Sequence, residues 1–197
     1  MLLTSALSNY SHRCTISEYE PSIIKSGIIQ FDNEKTYLDT SCVEGINNIF
    51  NGEAITYSKR PSRANMQPVK SSVWFAKMKG SNKIIVITDN DEDLIERNIL
   101  STGFLGIESN AKLPLSLLTS IIISDDFNTQ RDLNSVGTTM AGVNNETFLK
   151  IQVPLLSLDA IKSFDEKHSS LIYEMSLLRR KINNLKIIKA TLLKKYF

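Results

Sequence analysis

The sequence predicts an α+β protein in which a strand-rich globular domain is followed by one long C-terminal coiled-coil helix. Three observations lead to it. Short β-branched runs separated by polar turns recur between residues 27 and 154. Beyond Pro154 neither Gly nor Pro interrupts the chain. Over residues 158–197 apolar side chains return in alternating three- and four-residue steps, the spacing of a heptad seam. Pro154 disfavours helix in the residue before it, so it divides a body, residues 1–154, from a stalk, residues 155–197. A chain of 197 residues has room for one domain and such an extension.

Taken in order, residues 27–31 and 83–88 are β-branched runs of strand length. Residues 71–79 alternate less cleanly but also read as strand, and residues 91–98 read as an acidic surface turn or short helix. Residues 101–107 read as a strand bent at Gly103 and Gly106, and 115–124 as a helix running into Asp125. Residues 137–144 form a glycine-bounded turn and 148–153 a strand leading to Pro154.

The stalk places Ile161, His168, Met175, Ile182, Lys189 and Tyr196 at one core position of the heptad. Phe164, Leu171, Leu178, Leu185 and Leu192 occupy the other. A helix of this length spans about 60 Å, more than one small domain covers. The chain offers no second helix to match it. Phe164, Leu171, Met175, Leu178, Ile182, Leu185 and Leu192 are therefore expected to pair with another copy or another protein; packing on the chain's own body is the competing use of the same residues. Ile172, Leu177, Ile187, Ile188 and Leu193 lie off the seam and offer apolar surface to a second partner.

Charge is unevenly spread. Residues 150–197 hold 10 of the 23 Lys and Arg but 4 of the 21 Asp and Glu, giving +6 there against −4 in the rest. A basic stalk suits an acidic partner, although a solvated helix face has the same composition. Two cysteines without metal spacing, Cys14 and Cys42, fit reduced thiols in a cytoplasm. Residues 1–6 are too short for a signal segment and no apolar run spans a bilayer, so no membrane role is expected.

Enzymatic motifs are missing. There is no GxGxxG, P-loop or GxSxG. Ser22 and Lys25 match SxxK without companion motifs. Asp89, Asp91 and Asp93 begin like a calcium loop, but Leu94 and Leu100 stand where Gly and the bidentate Glu belong. His12 and His168 are the only histidines and lie at opposite ends of the chain, so no metal site is expected. The residues point to a binder rather than a catalyst.

Four segments in series carry a resemblance: Lys59-Arg60-Pro61-Ser62-Arg63-Ala64, Ser101-Thr102-Gly103-Phe104, Gly137-Thr138-Thr139-Met140-Ala141-Gly142-Val143-Asn144, and Leu149-Lys150-Ile151-Gln152-Val153-Pro154-Leu155, followed by the terminal helix. In this order they resemble the DNA-specificity subunit of type I restriction–modification systems, over residues 37–197. That family joins two target-recognition domains through two antiparallel helices that also dock methyltransferase subunits. This chain resembles one domain and one helix, a half-subunit.

The resemblance implies a homodimer reading an interrupted palindrome in double-stranded DNA. It implies a non-catalytic role in the cytoplasm beside methyltransferase and restriction subunits. S-adenosylmethionine would belong to the methyltransferase, with no cofactor in this chain.

The DNA-binding candidates are Lys59, Arg60, Ser62, Arg63, Gln130, Arg131, Thr138, Thr139 and Asn144. Arginine can fork onto guanine or hold phosphate, Gln suits adenine, and the hydroxyls and glycine-flanked turn suit a close backbone approach. Lys70, Lys77, Lys79 and Lys83 would add phosphate attraction. The competing readings are a coiled-coil protein-interaction adaptor that binds no DNA and, with least support, a small independent enzyme.

Overall fold

The structure, a computed structural model, describes residues 2–137 and 141–196. In chain order the elements are helix α1 (Leu2–Ser5) and strands β1 (Arg13–Thr15), β2 (Ser22–Ile23), β3 (Lys35–Leu38), β4 (Val43–Glu44), β5 (Asn48–Ile49), β6 (Glu53–Ile55), β7 (Ala64–Met66), β8 (Ser72–Ala76) and β9 (Ile84–Ile87). Helix α2 (Glu92–Arg97), strands β10 (Asn98–Ser101) and β11 (Phe104–Glu108), and helices α3 (Leu115–Ile122), α4 (Asp125–Leu133) and α5 (Asn145–Leu149) follow. Strand β12 (Gln152–Pro154) leads into α6 (Leu158–Tyr196). The fold class expected from the sequence is the one observed.

Two four-stranded sheets form the body. One has the order β2-β11-β8-β9, all antiparallel, and the other β6-β3-β10-β7, with β3 and β10 parallel. Every residue of β8 and β9 is buried, because the first sheet is covered on both faces. Side chains alternate along a strand. Val73, Phe75, Ile84 and Val86 therefore join the main core with α3 and α6, while Trp74, Ala76, Ile85 and Ile87 pack toward Leu38, Met66 and Leu100 of the second sheet.

The stretch read as a single strand over 101–107 is two strands in different sheets. After β10 the chain turns at Thr102-Gly103 and crosses into the first sheet as β11. The two glycines in that stretch do different jobs. Gly103 lies in the turn, and Gly106 lies under Trp74, where a Cβ would come within 2.5 Å of the indole ring.

Two other expectations change. Residues 28–31 form no strand; Gly27 makes one bridge to Met66, and Ile28 and Phe31 lie against the outer face of the second sheet, packed on Tyr37, Ile55, Ala64 and Ile99. The strand expected over 148–153 begins only at Gln152, because Asn144 and Thr147 form a reciprocal capping box that starts a helix through Leu149. The opening residues, which match the resemblance poorly, are structural. Leu3, Leu7, Ile16 and Tyr19 sit in the main core, and β1 pairs with β12.

Helix α6 divides into two halves. Ile161, Phe164, Ile172, Ser176 and Arg179 are buried against the body, and the Ser116 hydroxyl on α3 donates to Asp165 at 2.6 Å. The expectation that the seam cannot be covered within its own molecule therefore fails for this half. Phe164, placed on the pairing seam from sequence, is 3% exposed within the main core; Ile172, placed on a second partner surface, is 1% exposed there. The covered stripe runs 161, 164, 168, 172, 176, 179, close to the 3.6 residues per turn of a straight helix. The heptad seam repeats every 3.5 and so drifts off that stripe. Leu171 and Met175 end up half-buried at its margin, and Leu178, Ile182, Leu185 and Leu192 are exposed.

Tyr19 fixes the joint between body and helix. Its buried hydroxyl donates to the Pro154 carbonyl at 2.7 Å and accepts from the Leu156 amide at 2.9 Å. Burial pushes its pKa up to about 12. Replacing Tyr19 with Phe orphans both backbone groups and is expected to cost about 1–3 kcal/mol in urea unfolding. The tyrosine's own contribution holds below pH 10, its unfolded value, and is lost as pH rises through about 12.

Candidate nucleic-acid interface

Several loops meet at one end of the body. The loop 56–63 joins β6 to β7, and its Arg63 carbonyl accepts from the Thr102 amide at 2.9 Å, seating it on the 102–103 turn. The Lys77 amide donates to the Gly103 carbonyl at 2.9 Å, and the Lys77 carbonyl accepts from the Val143 amide at 3.0 Å. Lys79 donates its amide to Ala141 at 2.9 Å. The β8–β9 turn, the 102–103 turn, the arginine loop and the chain around 141–143 are thus bound together through backbone.

Of the nine residues expected to meet DNA, Lys59, Ser62 and Arg63 are exposed in that loop. Arg60 is half-buried, with its guanidinium 4.2 Å over the Tyr57 ring and a hydrogen bond to the Tyr57 carbonyl at 2.5 Å. Tyr57 meets Phe31 edge-on at 5.6 Å, and Lys35 lies 5.2 Å over Phe31. Sequence reasoning missed this aromatic support because its members are 26 residues apart.

Gln130 is half-buried on α4. Arg131 is 3% exposed; it donates Nε to Asp132 at 2.9 Å and Nη1 to the Ser81 carbonyl, while Asp132 accepts from the Gly80 amide at 3.0 Å. Arg131 therefore fastens α4 to the β8–β9 turn and presents no guanidinium to a ligand, a correction to its expected role. Asn144 is exposed, but its side-chain Oδ1 accepts from the Thr147 amide at 2.8 Å as a helix cap, so that oxygen is committed locally. Thr138 and Thr139 lie outside the described residues.

A cleft of about 240 Å³ opens among Thr40, Arg63, Lys77, Gly103, Val136 and Gly142. Burial, and then the neighbouring Arg63, lower the pKa of Lys77. Asp39 stands near Arg63 but is held by its own turn. The Ser41 hydroxyl is the chief cause of its lowered pKa; burial opposes, and the Ser41 and Cys42 amides and Arg63 assist.

At the opposite side, α6 leaves the body beside a buried ion pair. Asp91, fully buried, accepts from the Thr88 amide and hydroxyl at 2.8 and 2.9 Å, from the Ser176 hydroxyl, and from Arg179 Nη2 at 2.5 Å. Burial is the largest influence on its pKa and opposes ionisation. The Ser176 hydroxyl, the Thr88 amide, Arg179 and the Thr88 hydroxyl outweigh it and hold the carboxyl below its ordinary value. Residues 92–97 form the short helix that the sequence allowed, but Asp91, read as part of an acidic surface segment, is buried by this contact. Its signal was present: continuing the stripe from Ile161 at helical spacing lands on Ser176 and Arg179.

From Leu178 onward the helix exposes Leu178, Ile182, Leu185, Ile187, Ile188, Leu192 and Leu193, each 49–64% accessible. Lys186 reaches the body, 5.3 Å over the Phe50 ring. Among the described residues no group of three His, Cys, Asp or Glu could hold a metal, and no helix is long and apolar enough to cross a membrane.

No protein-family model and no curated protein matches this sequence. Among solved structures, the chain is similar to the HsdS subunit from Thermoanaerobacter tengcongensis, with a TM-score of 0.57 and 17% identity over 94% of this chain and 46% of that one. It is likewise similar to a chain from a structure describing complex assembly and conformational transition of the type I R-M system, with a TM-score of 0.56 and 17% identity over 93% of this chain and 46% of that one. The chain spans about half the length of these structures. At this identity the likeness is one of fold, and it is the fold that the sequence motifs implied.

Proposed function

We propose that this chain is a DNA-recognition unit of a type I restriction–modification specificity subunit. Its body reads one part of a bipartite duplex site through the loop end carrying Lys59, Arg60, Ser62 and Arg63. The outer half of α6 pairs antiparallel with the same helix of a second copy, giving two readers related by two-fold symmetry. The pair then positions methyltransferase subunits, and a restriction subunit where one is present. The chain performs no chemistry; S-adenosylmethionine would be held by the methyltransferase. The reading is carried by one observation: a body with the specificity-subunit fold ends in a helix whose outer half presents an uncovered apolar line.

The arginine loop gives the direct test. An Arg60→Ala, Arg63→Ala double variant is expected to bind duplex DNA at least about tenfold more weakly, since one good arginine contact supplies roughly 1–3 kcal/mol. Its urea midpoint should match the wild type within the loss of the Arg60–Tyr57 contact. Duplex affinity of the wild type should also fall steeply between 50 and 200 mM salt, on the order of tenfold or more for a few phosphate contacts. Unchanged affinity in the double variant, measured by fluorescence anisotropy, would favour the adaptor reading instead.

A further inference from the structure

The structure sorts four lysines that the sequence leaves equivalent. Lys70 is ion-paired with Glu92 at 3.2 Å, and Lys83 donates to the Thr40 carbonyl at 2.8 Å. Lys79 is exposed and close enough to Asp132 to help hold that carboxylate ionised. Lys77 differs from all three. It is half-buried, no described carboxylate hydrogen-bonds to it, and residues 138–140, Thr-Thr-Met, contain none. The nearest fixed cation is Arg63, on the same cleft.

We infer that this cleft seats one backbone phosphate of duplex DNA, gripped jointly by Arg63 and Lys77. The inference rests on the proposed DNA reading and names the contact that sets the body's register on the duplex. Asp39 lies near Arg63, but Lys77 has no carboxylate of its own among the described residues, so the two cations repel each other and resist desolvation, and a phosphate reverses both costs. Space for it depends on small residues. A Cβ at Gly103 would lie 2.8 Å from Arg63 Nη2, and one at Gly142 would lie 2.7 Å from the Lys77 carbonyl. Side chains there would push the arginine and the 141–143 segment out of their places around the cleft. Asp39, the carboxylate beside Arg63, accepts from the Ser41 amide and hydroxyl at 2.6 Å.

A single shared phosphate has a distinctive salt signature. Each neutralised phosphate contributes about 0.9 to the slope of log affinity against log salt. Lys77→Met and Arg63→Met should each lower the slope by about 0.9, equally on unrelated duplexes, and the double variant should lower it no further. Lys77→Arg should restore the wild-type slope, which separates a charge contact from a folding defect. In isotopically labelled full chain, a short duplex should shift the Gly103 and Gly142 amide resonances, whereas inorganic phosphate at the same concentration should not. An unchanged slope in both single variants, with duplex binding intact, overturns the phosphate seat and leaves the DNA reading standing. Shifts with phosphate alone, and no duplex binding by the wild type, overturn both and mark a free-anion site.

Discussion

Replacing Asp91 with alanine is expected to destabilise the protein by about 3–5 kcal/mol, the range seen when one partner of a buried ion pair is removed. The loss is large because Arg179 remains. Its side chain is 3% exposed, and Nε and Nη1 already lack hydrogen-bond partners among the described residues, so no solvent replaces the carboxylate. Adding Arg179→Leu should recover much of the stability, since a well-packed apolar pair often matches a buried ionic one. Urea unfolding of the two single variants and the double variant measures the coupling. If Asp91→Ala costs less than about 1 kcal/mol, the latch does not hold the helix.

The acid limb gives the same contact a second readout. Asp91's folded pKa lies below its unfolded value of 3.8. Its contribution is therefore fully present above pH 4 and is lost as pH falls through the lowered folded value. Wild-type stability should drop over that acid range more steeply than in Asp91→Asn.

A Leu178→Glu, Leu185→Glu double variant is expected to weaken self-association at least about 100-fold. Burying one leucine contributes roughly 1.5–3 kcal/mol, and each 1.4 kcal/mol is about tenfold in affinity. Both side chains are more than half exposed in the single chain, 57% and 64%, so the fold should tolerate the change. Sedimentation equilibrium at several concentrations reads the dissociation constant, and circular dichroism checks the helix. A wild type that stays monomeric at tens of micromolar, or a variant that associates as tightly, would remove the pairing step.

The sequence made the long helix and the two buried strands legible, because periodicity and strong breakers report local structure directly. It also singled out the basic run 59–63, which the structure places in the β6–β7 loop. What it could not show were pairings over long separations. Asp91 looked like a solvated turn residue because its partners, Ser176 and Arg179, lie 85 and 88 residues away. Arg131 looked like a DNA contact because Ser81 is 50 residues away. The fate of residues 101–107 turned on a change of sheet, which no local pattern encodes. The seam misled in its first half for a different reason: repeats of 3.5 and 3.6 residues are indistinguishable over two turns and separate only over a longer run.

That small mismatch gives the rod a built-in screw. Two adhesive lines start together near Ile161 and part by about 20° every seven residues, so a neighbour gripping the outer line sits swivelled relative to the globe on the inner one. The swivel is set by counting residues rather than by any hinge. Deleting one residue just past the buried half, such as Lys181, would rotate the outer line by about 100° while shortening the rod by only about 1.5 Å.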